Sequence, residues 1–225
     1  MVSPAFGAAG TYLSGTVSTS ANIAVPAGTA ANEVVLAFIY LESSGSITPP
    51  AGFSLVDRAT TSNHDLAVYW KRCTGTDAGT YNFTIPSTYR EASAVRFTGC
   101  ITSGNPYDVV GKASATSSPG GVTTAVSNTT TVADTLQVFA GTNFNGSPWT
   151  PPTGYTERVD ASGDLTVATL AQASIGGSGS ITATCAVQNA ANCVMLIALK
   201  PPGGATPVSD PPRRAITRYR HLIGR

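Results

Sequence analysis

Charge is what this chain has least of. Only 11% of its 225 residues are charged, against about a quarter in an ordinary soluble domain, and the formal net charge is +1. Disorder requires low hydrophobicity with high net charge, whereas 42% of these residues are hydrophobic, so the scarcity of charge describes a folded, weakly charged body. Long apolar runs are missing too. The longest, Val34–Leu41, is strand-sized and far short of the ~20 residues of a membrane-spanning helix. The start, Met1-Val2-Ser3-Pro4-Ala5, has neither a basic region nor an apolar stretch, which predicts no secretory signal and a mature chain beginning at or near Met1. Cysteines number four, Cys73, Cys100, Cys185 and Cys193, without the short Cys-x-x-Cys pairs that zinc sites use. With no signal for export, they are expected to be free, half-buried thiols in strands.

What the chain does have is a sentence said twice. Pro49-Pro50-Ala51-Gly52-Phe53 returns as Pro151-Pro152-Thr153-Gly154-Tyr155, roughly 100 residues later. Upstream, Glu33-Val34-Val35-Leu36 answers to Asp134-Thr135-Leu136-Gln137, and downstream Asp65-Leu66-Ala67-Val68 answers to Asp164-Leu165-Thr166-Val167. A repeat of this length is a supersecondary block. What is duplicated is turn chemistry and apolar runs, with no acid, base or ligand cluster travelling along.

Strand signals dominate both copies: residues 34–40, 66–71, 81–85 and 93–97, then 136–140, 165–171, 181–187 and 193–199. They are β-branched, aromatic or alternating, and Gly and Pro break them at regular intervals. No segment of the body reads as a helix. The pattern predicts an all-β fold, a jelly-roll-like antiparallel sandwich built from two sequence-related halves, with each sheet taking strands from both. Two tandem immunoglobulin-like domains are the alternative, but the join at residues 100–112 is short and partly apolar, which favours intimate packing. The expected division is an N-terminal segment (1–16), halves of about 17–105 and 106–200, a Pro/Gly linker (201–212) and a basic tail (213–225).

The tail is where charge concentrates. Residues 201–225 hold five arginines against Asp210 (+4), while residues 1–200 hold eight bases against eleven acids (−3). Arg213, Arg214, Arg218 and Arg220 interleave with Ile216, Tyr219, Leu222 and Ile223 at helical spacing, the pattern of a short amphipathic helix docking on a partner. Five arginines are a modest signal for phosphate neutralisation, and the body supplies no basic surface to extend it, so a protein partner is favoured over nucleic acid.

Catalytic chemistry has few places to reside. His64 reads as an exposed loop residue, and no Gly-x-Ser-x-Gly elbow accompanies it. The acids that correspond across the repeat, Glu33 with Asp134 and Asp65 with Asp164, fall at strand starts and read as turn and edge residues facing water. No phosphate loop, calcium loop, metal cluster or cofactor motif is present. The loop from Phe144 to Trp149 is rich in hydrogen-bonding side chains and could stack a sugar ring, as could Tyr89. Packing of Trp149 beneath the Pro-Pro turn, as Ile47 packs before Pro49, is the favoured reading.

Val25-Pro26-Ala27-Gly28, the two Pro-Pro-x-Gly-aromatic turns, the stretch from Trp149 to Arg158, and the closing Leu196-Ile197-Ala198-Leu199-Lys200-Pro201 resemble a family of duplicated β-sandwich proteins common in phages of actinobacteria. The similarity covers about residues 17–201 and rests on structural turns. It implies a non-enzymatic virion component of the minor tail or capsid-decoration kind, without cofactor. Such a protein would sit in many copies on the virion surface after assembly in the bacterial cytoplasm, with capsid or tail subunits as partners and no membrane. The arginine-rich tail lies outside the family pattern. The second reading is a carbohydrate-binding module or adhesin recognising host-surface glycan.

Overall fold

The run Val34–Leu41 is apolar at every position because both of its faces are covered. Val34, Leu36, Phe38 and Tyr40 enter one core and Val35, Ala37, Ile39 and Leu41 another, and all eight are fully buried. A strand enclosed in this way loses its alternation. The structure is a computed structural model describing residues 2–117, 119–144, 148–160, 163–186 and 190–203. It is all-β, with antiparallel sheets packed as a sandwich, and none of its described helices is long and apolar enough to cross a membrane.

The first half forms β1 (Ala5–Ala9), β2 (Leu13–Ala24), β3 (Val34–Leu41), β4 (Ser54–Thr60), β5 (Asp65–Arg72) and β6 (Thr80–Thr98). The second forms β7 (Tyr107–Ala115), β8 (Thr129–Thr130), β9 (Thr135–Asn143), β10 (Trp149–Thr150), β11 (Thr156–Val159), β12 (Leu165–Gln172), β13 (Gly176–Gly177), β14 (Thr184–Cys185) and β15 (Asn192–Leu199). One sheet runs β1-β6-β3-β5-β4, and the other runs β7-β15-β9-β12-β11, the same order with the second copy's strands in the first copy's places. The expectation that each sheet would draw on both halves therefore does not hold: each sheet belongs to one half. Residues 5–9 form the edge strand of the first sheet, in the place that β7 takes in the second.

Register shows how the copies correspond. Val34 sits between Arg72 and Phe97, and Leu136 sits between Ala171 and Leu199. The equivalence of β3 with β9 thus carries the same 102-residue offset as Pro49 with Pro151. The turn before each central strand agrees, since Asn32 (φ 69°) and Asp134 (φ 54°) take the same left-handed conformation. Asp134 is therefore the counterpart of Asn32 rather than Glu33, a one-residue correction that moves every side chain of the strand to the opposite face. The Pro-Pro-x-Gly turns also superpose in kind. Phe53 N–H donates to the Pro50 carbonyl and Tyr155 N–H to that of Pro152, with Gly52 (φ 87°) and Gly154 (φ 83°) at the position where a type II turn needs positive φ.

The two sheets face each other across one shared core. Phe38, Tyr40, Leu66, Val68, Val95 and Phe97 meet Val138, Ala140, Leu165, Val167, Met195 and Ile197 there. Each sheet's outer face carries its own layer. On the first, β2 and the early part of β6 place Ile23, Tyr81 and Phe83 over Val35, Ala37 and Ile39. On the second, short segments place Val126, Trp149, Ala183 and Cys185 over Phe139, Ala168 and Leu196. The sandwich edges close in matched pairs. Lys112 Nζ lies 2.6 Å from Asp57 Oδ1, and Ser114 Oγ donates to the Thr60 carbonyl, joining β7 to β4. The Arg158 guanidinium sits 4.5 Å over the Phe6 ring, joining β11 to β1. The join between halves is held at the end of β15, where Ile101 N–H donates to the Lys200 carbonyl and Lys200 N–H to that of Pro106. The halves thus share a core rather than hanging on an exposed linker. All four cysteines are buried thiols, none bridged to another.

Candidate functional site

His64 is the largest departure from expectation: it is fully buried, not an exposed loop residue. The turn closed by Thr61 N–H on the His64 carbonyl directs its ring into the seam between the sheets. There Nε2 lies 2.8 Å from Thr142 Oγ1, and the ring lies 4.7 Å from that of Tyr40. Thr142 gives its own proton to the Cys193 carbonyl (3.2 Å), so it accepts from His64 Nε2–H. That fixes the tautomer and leaves Nδ1 without a partner. Burial pushes the imidazole down to about 4 from 6.5, so it is neutral at pH 7.

This depression has a consequence for acid stability. Between about pH 6.5 and 4 the unfolded chain takes up a proton on His64 that the folded chain refuses. The contribution is therefore intact above pH 6.5 and is lost as pH falls through that window, by about 2–3 kcal/mol at pH 4.5. Asp65 works in the opposite direction, because burial raises its carboxyl despite Arg58; a difference between variants cancels it. Urea unfolding at pH 7 and 4.5 should show wild type losing about 2–3 kcal/mol more than His64→Gln. Equal losses would mean that the buried imidazole does not set the acid limit.

The acids are engaged as well. Asp65 is fully buried and held by Arg58, whose Nε lies 2.8 and 2.7 Å from its two oxygens. It is not the water-facing edge residue anticipated. Asp164, at 3% exposure, is likewise interior. Glu33 pairs with Arg96 at 2.8 Å and accepts from Ala30 N–H. Trp149 is 6% exposed. Its ring belongs to the outer core of the second half, and its Nε1–H donates to the Gly163 carbonyl, so the face needed for stacking sugar is covered. Phe144, at 37%, is open. Tyr89 gives its hydroxyl to Glu91 Oε1 (3.1 Å). Arg213, Arg214, Ile216, Arg218, Tyr219, Arg220, Leu222 and Ile223 lie outside the described residues.

Glu91 anchors the other end of the seam. It is 4% exposed and accepts from the hydroxyls of Tyr12 and Tyr89 and from Asp164 N–H (2.6 Å). Register makes Glu91 the counterpart of Cys193 and Tyr40 the counterpart of Thr142. His64, which precedes Asp65, corresponds to Gly163, which precedes Asp164. The seam is thus filled in two ways. One position takes a large histidine against small Thr142 and Cys193; its pseudo-symmetric partner takes a glycine against large Glu91 and Tyr12. A Cβ on Gly163 would come within 2.6 Å of Glu91 Oε2. Apart from His64 Nδ1, the polar groups named at the seam are hydrogen-bonded, and they distinguish the halves, a use of buried polarity that favours specificity.

An open concavity lies on the second half. It is a groove of about 320 Å³ lined by Gln137, Tyr155, Leu170, Gln172, Ile175 and Ser178 among others, near the lower end of small-ligand sites. Its floor is a chain of amides. Asn128 and Gln137 exchange two hydrogen bonds of 2.9 Å, and Gln137 Nε2 donates to Gln172 Oε1 (2.7 Å). Gln172 Nε2 then reaches Thr130 Oγ1 and the carbonyls of Ser174 and Gly176. Tyr155 is 7% exposed and its hydroxyl has no partner; burial pushes it up to about 12. Leu170 (36%) and Ile175 (46%) present apolar surface at the rim. Sequence reading passed over Gln137 and Gln172 and took Tyr155 only as the turn counterpart of Phe53, although the 102-residue offset would have set Gln137 against Val35.

Among the described residues no three His, Cys, Asp or Glu side chains gather as a metal site would require. Compared with protein-family models, with curated proteins and with solved structures, the chain matches none.

Proposed function

We propose that the protein is a non-enzymatic structural component displayed on the outside of a phage virion, a capsid-decoration or minor tail protein joined to neighbouring subunits through its C-terminal tail. The observation that carries this reading is where the body ends. The last strand among the described residues, β15, is an interior strand of its sheet, laddered to β9 on one side and β7 on the other. Lys200 is then pinned by two further backbone bonds. A load on the tail would be spread along two hydrogen-bonded ladders instead of peeling an edge. The contrast between a −3 body and a +4 tail supports docking by the tail, and the resemblance to duplicated phage sandwiches supports the setting. Engagement of Asp65, Glu33 and Glu91 in internal pairs supports a structural role for the body.

Truncation after residue 203 tests the reading. The shortened chain should fold with an unchanged melting temperature and be absent from purified particles, as read by immunogold labelling. Truncated protein incorporated at normal occupancy would remove the tail's role.

A further inference from the structure

The repeat supplies its own control for the groove. In the first half the Lys71 ammonium lies 5.9 Å over the Phe53 ring and 5.1 Å over that of Tyr81, held there by Asp77, so that half covers the site with its own side chain. Register places Leu170, opposite Gln137, where Lys71 stands opposite Val35. The second half has thus exchanged its cover for an apolar side chain and leaves it open beside Ile175. The amides beneath are already bonded to one another and to Thr130. What the groove offers a partner is therefore apolar surface in an uncharged lining, the character of a contact site.

We propose that this groove receives the C-terminal tail, residues 213–225, of a second copy of this chain. This rests on the reading of the tail as the docking element and adds the identity of the subunit that receives it. Ile216, Tyr219 and Ile223 stand at i, i+3 and i+7, the anchor spacing of a helix laid in an apolar groove. The arginines between them have acids to meet. Asp134 bonds the Ala173 carbonyl through its N–H at the end of the groove, and Glu157 lies opposite Ala168, on the face that carries Leu170. Neither acid has a cationic partner among the described residues. Where the body ends decides between its own groove and a neighbour's. Leu199 is two strands from Ala171, across Leu136, a separation of about 10 Å. The five prolines of residues 201–212 favour an extended spacer of about 3 Å per residue, roughly 35 Å in all. Such a spacer carries the tail past the adjacent groove and on to that of a neighbour. A tail given by one copy and a groove offered by the next form a heterologous contact, which closes into a ring or continues as a chain.

Sedimentation equilibrium of the full chain tests this. The weight-average mass should rise with concentration. Leu170→Lys, which installs the first copy's covering side chain, and Ile216→Asp should each weaken self-association at least about tenfold, with unchanged melting temperatures. Asp134→Asn, which installs the residue of its counterpart Asn32 and suits the left-handed backbone there, should weaken it about threefold. Because the contact joins unlike surfaces, an equimolar mixture of Leu170→Lys and Ile216→Asp, each keeping the surface the other lacks, should form dimers and nothing larger. A full chain that is monomeric at every concentration, its tail idle or folded onto its own groove, would overturn the proposal. So would self-association indifferent to both variants, or a mixture that stays monomeric. All of these are read on isolated protein, so they fail independently of the particle incorporation that tests the virion reading.

Discussion

Gly111→Ala should destabilise the protein by about 3 kcal/mol or more, and Gly10→Ala should do the same. In a strand the exchange ordinarily helps, since glycine costs about 0.5–1 kcal/mol relative to alanine in an element interior. Here the sign reverses because of what crosses overhead. Gly111 lies in β7 opposite Leu196, and a Cβ there would be driven into the Ser127 carbonyl oxygen. Gly10 follows β1 and donates its N–H to the Ala94 carbonyl at 2.8 Å, and a Cβ there would be driven into the Ala24 carbonyl oxygen. Both obstacles are backbone, which cannot rotate aside as a side-chain tip can. The glycines recur because each half folds the following segment closely over its own edge strand. Urea midpoints of the two variants check this, and a stability at or above wild type for either would show room in the crossing.

Glu91→Ala carries the second large effect, a loss of about 3–5 kcal/mol. The carboxylate is the common acceptor for Tyr12, Tyr89 and Asp164 N–H, and its removal leaves buried donors at the seam unpaired. Each such group costs about 1–3 kcal/mol. Glu91→Gln keeps the shape but presents an NH₂ where one of those donors points, so an intermediate loss is expected. Tyr12 and Tyr89 belong to the first half and Asp164 to the second, so the damage should be felt by both.

The central strands β3, β5, β9, β12 and β15, the Pro-Pro turns and the packing of Trp149 were legible in the sequence because each rests on local chemistry: β-branched runs, a fixed φ, an apolar counterpart at Ile47; β1, β2, β4, β7 and β11 were not read as strands, and 81–85 and 93–97 are parts of the single strand β6. The register of the repeat was legible only to within one residue. Val34–Leu41 is buried on both faces, so its apolar run hides the two-residue period that would have distinguished Asn32 from Glu33 as the match for Asp134. His64 and Asp65 could not be placed, because what buries them is the other sheet. Thr142 is 78 residues from His64 in sequence, and nothing local announces it. The groove was half legible. Gln137 among apolar neighbours is an oddity, but its meaning needed Val35 as the comparison, which the slipped alignment had paired with Leu136. The assignment of each whole sheet to one half is a matter of long-range pairing, on which turn and strand signals are silent.

Differential scanning calorimetry of wild type and Glu91→Ala tests most directly whether two divergent halves form one cooperative body. A shared core and a seam satisfied across the halves predict a single transition with equal calorimetric and van't Hoff enthalpies, shifted down as a whole by Glu91→Ala. Two transitions in wild type, or a shift confined to one of two, would contradict it.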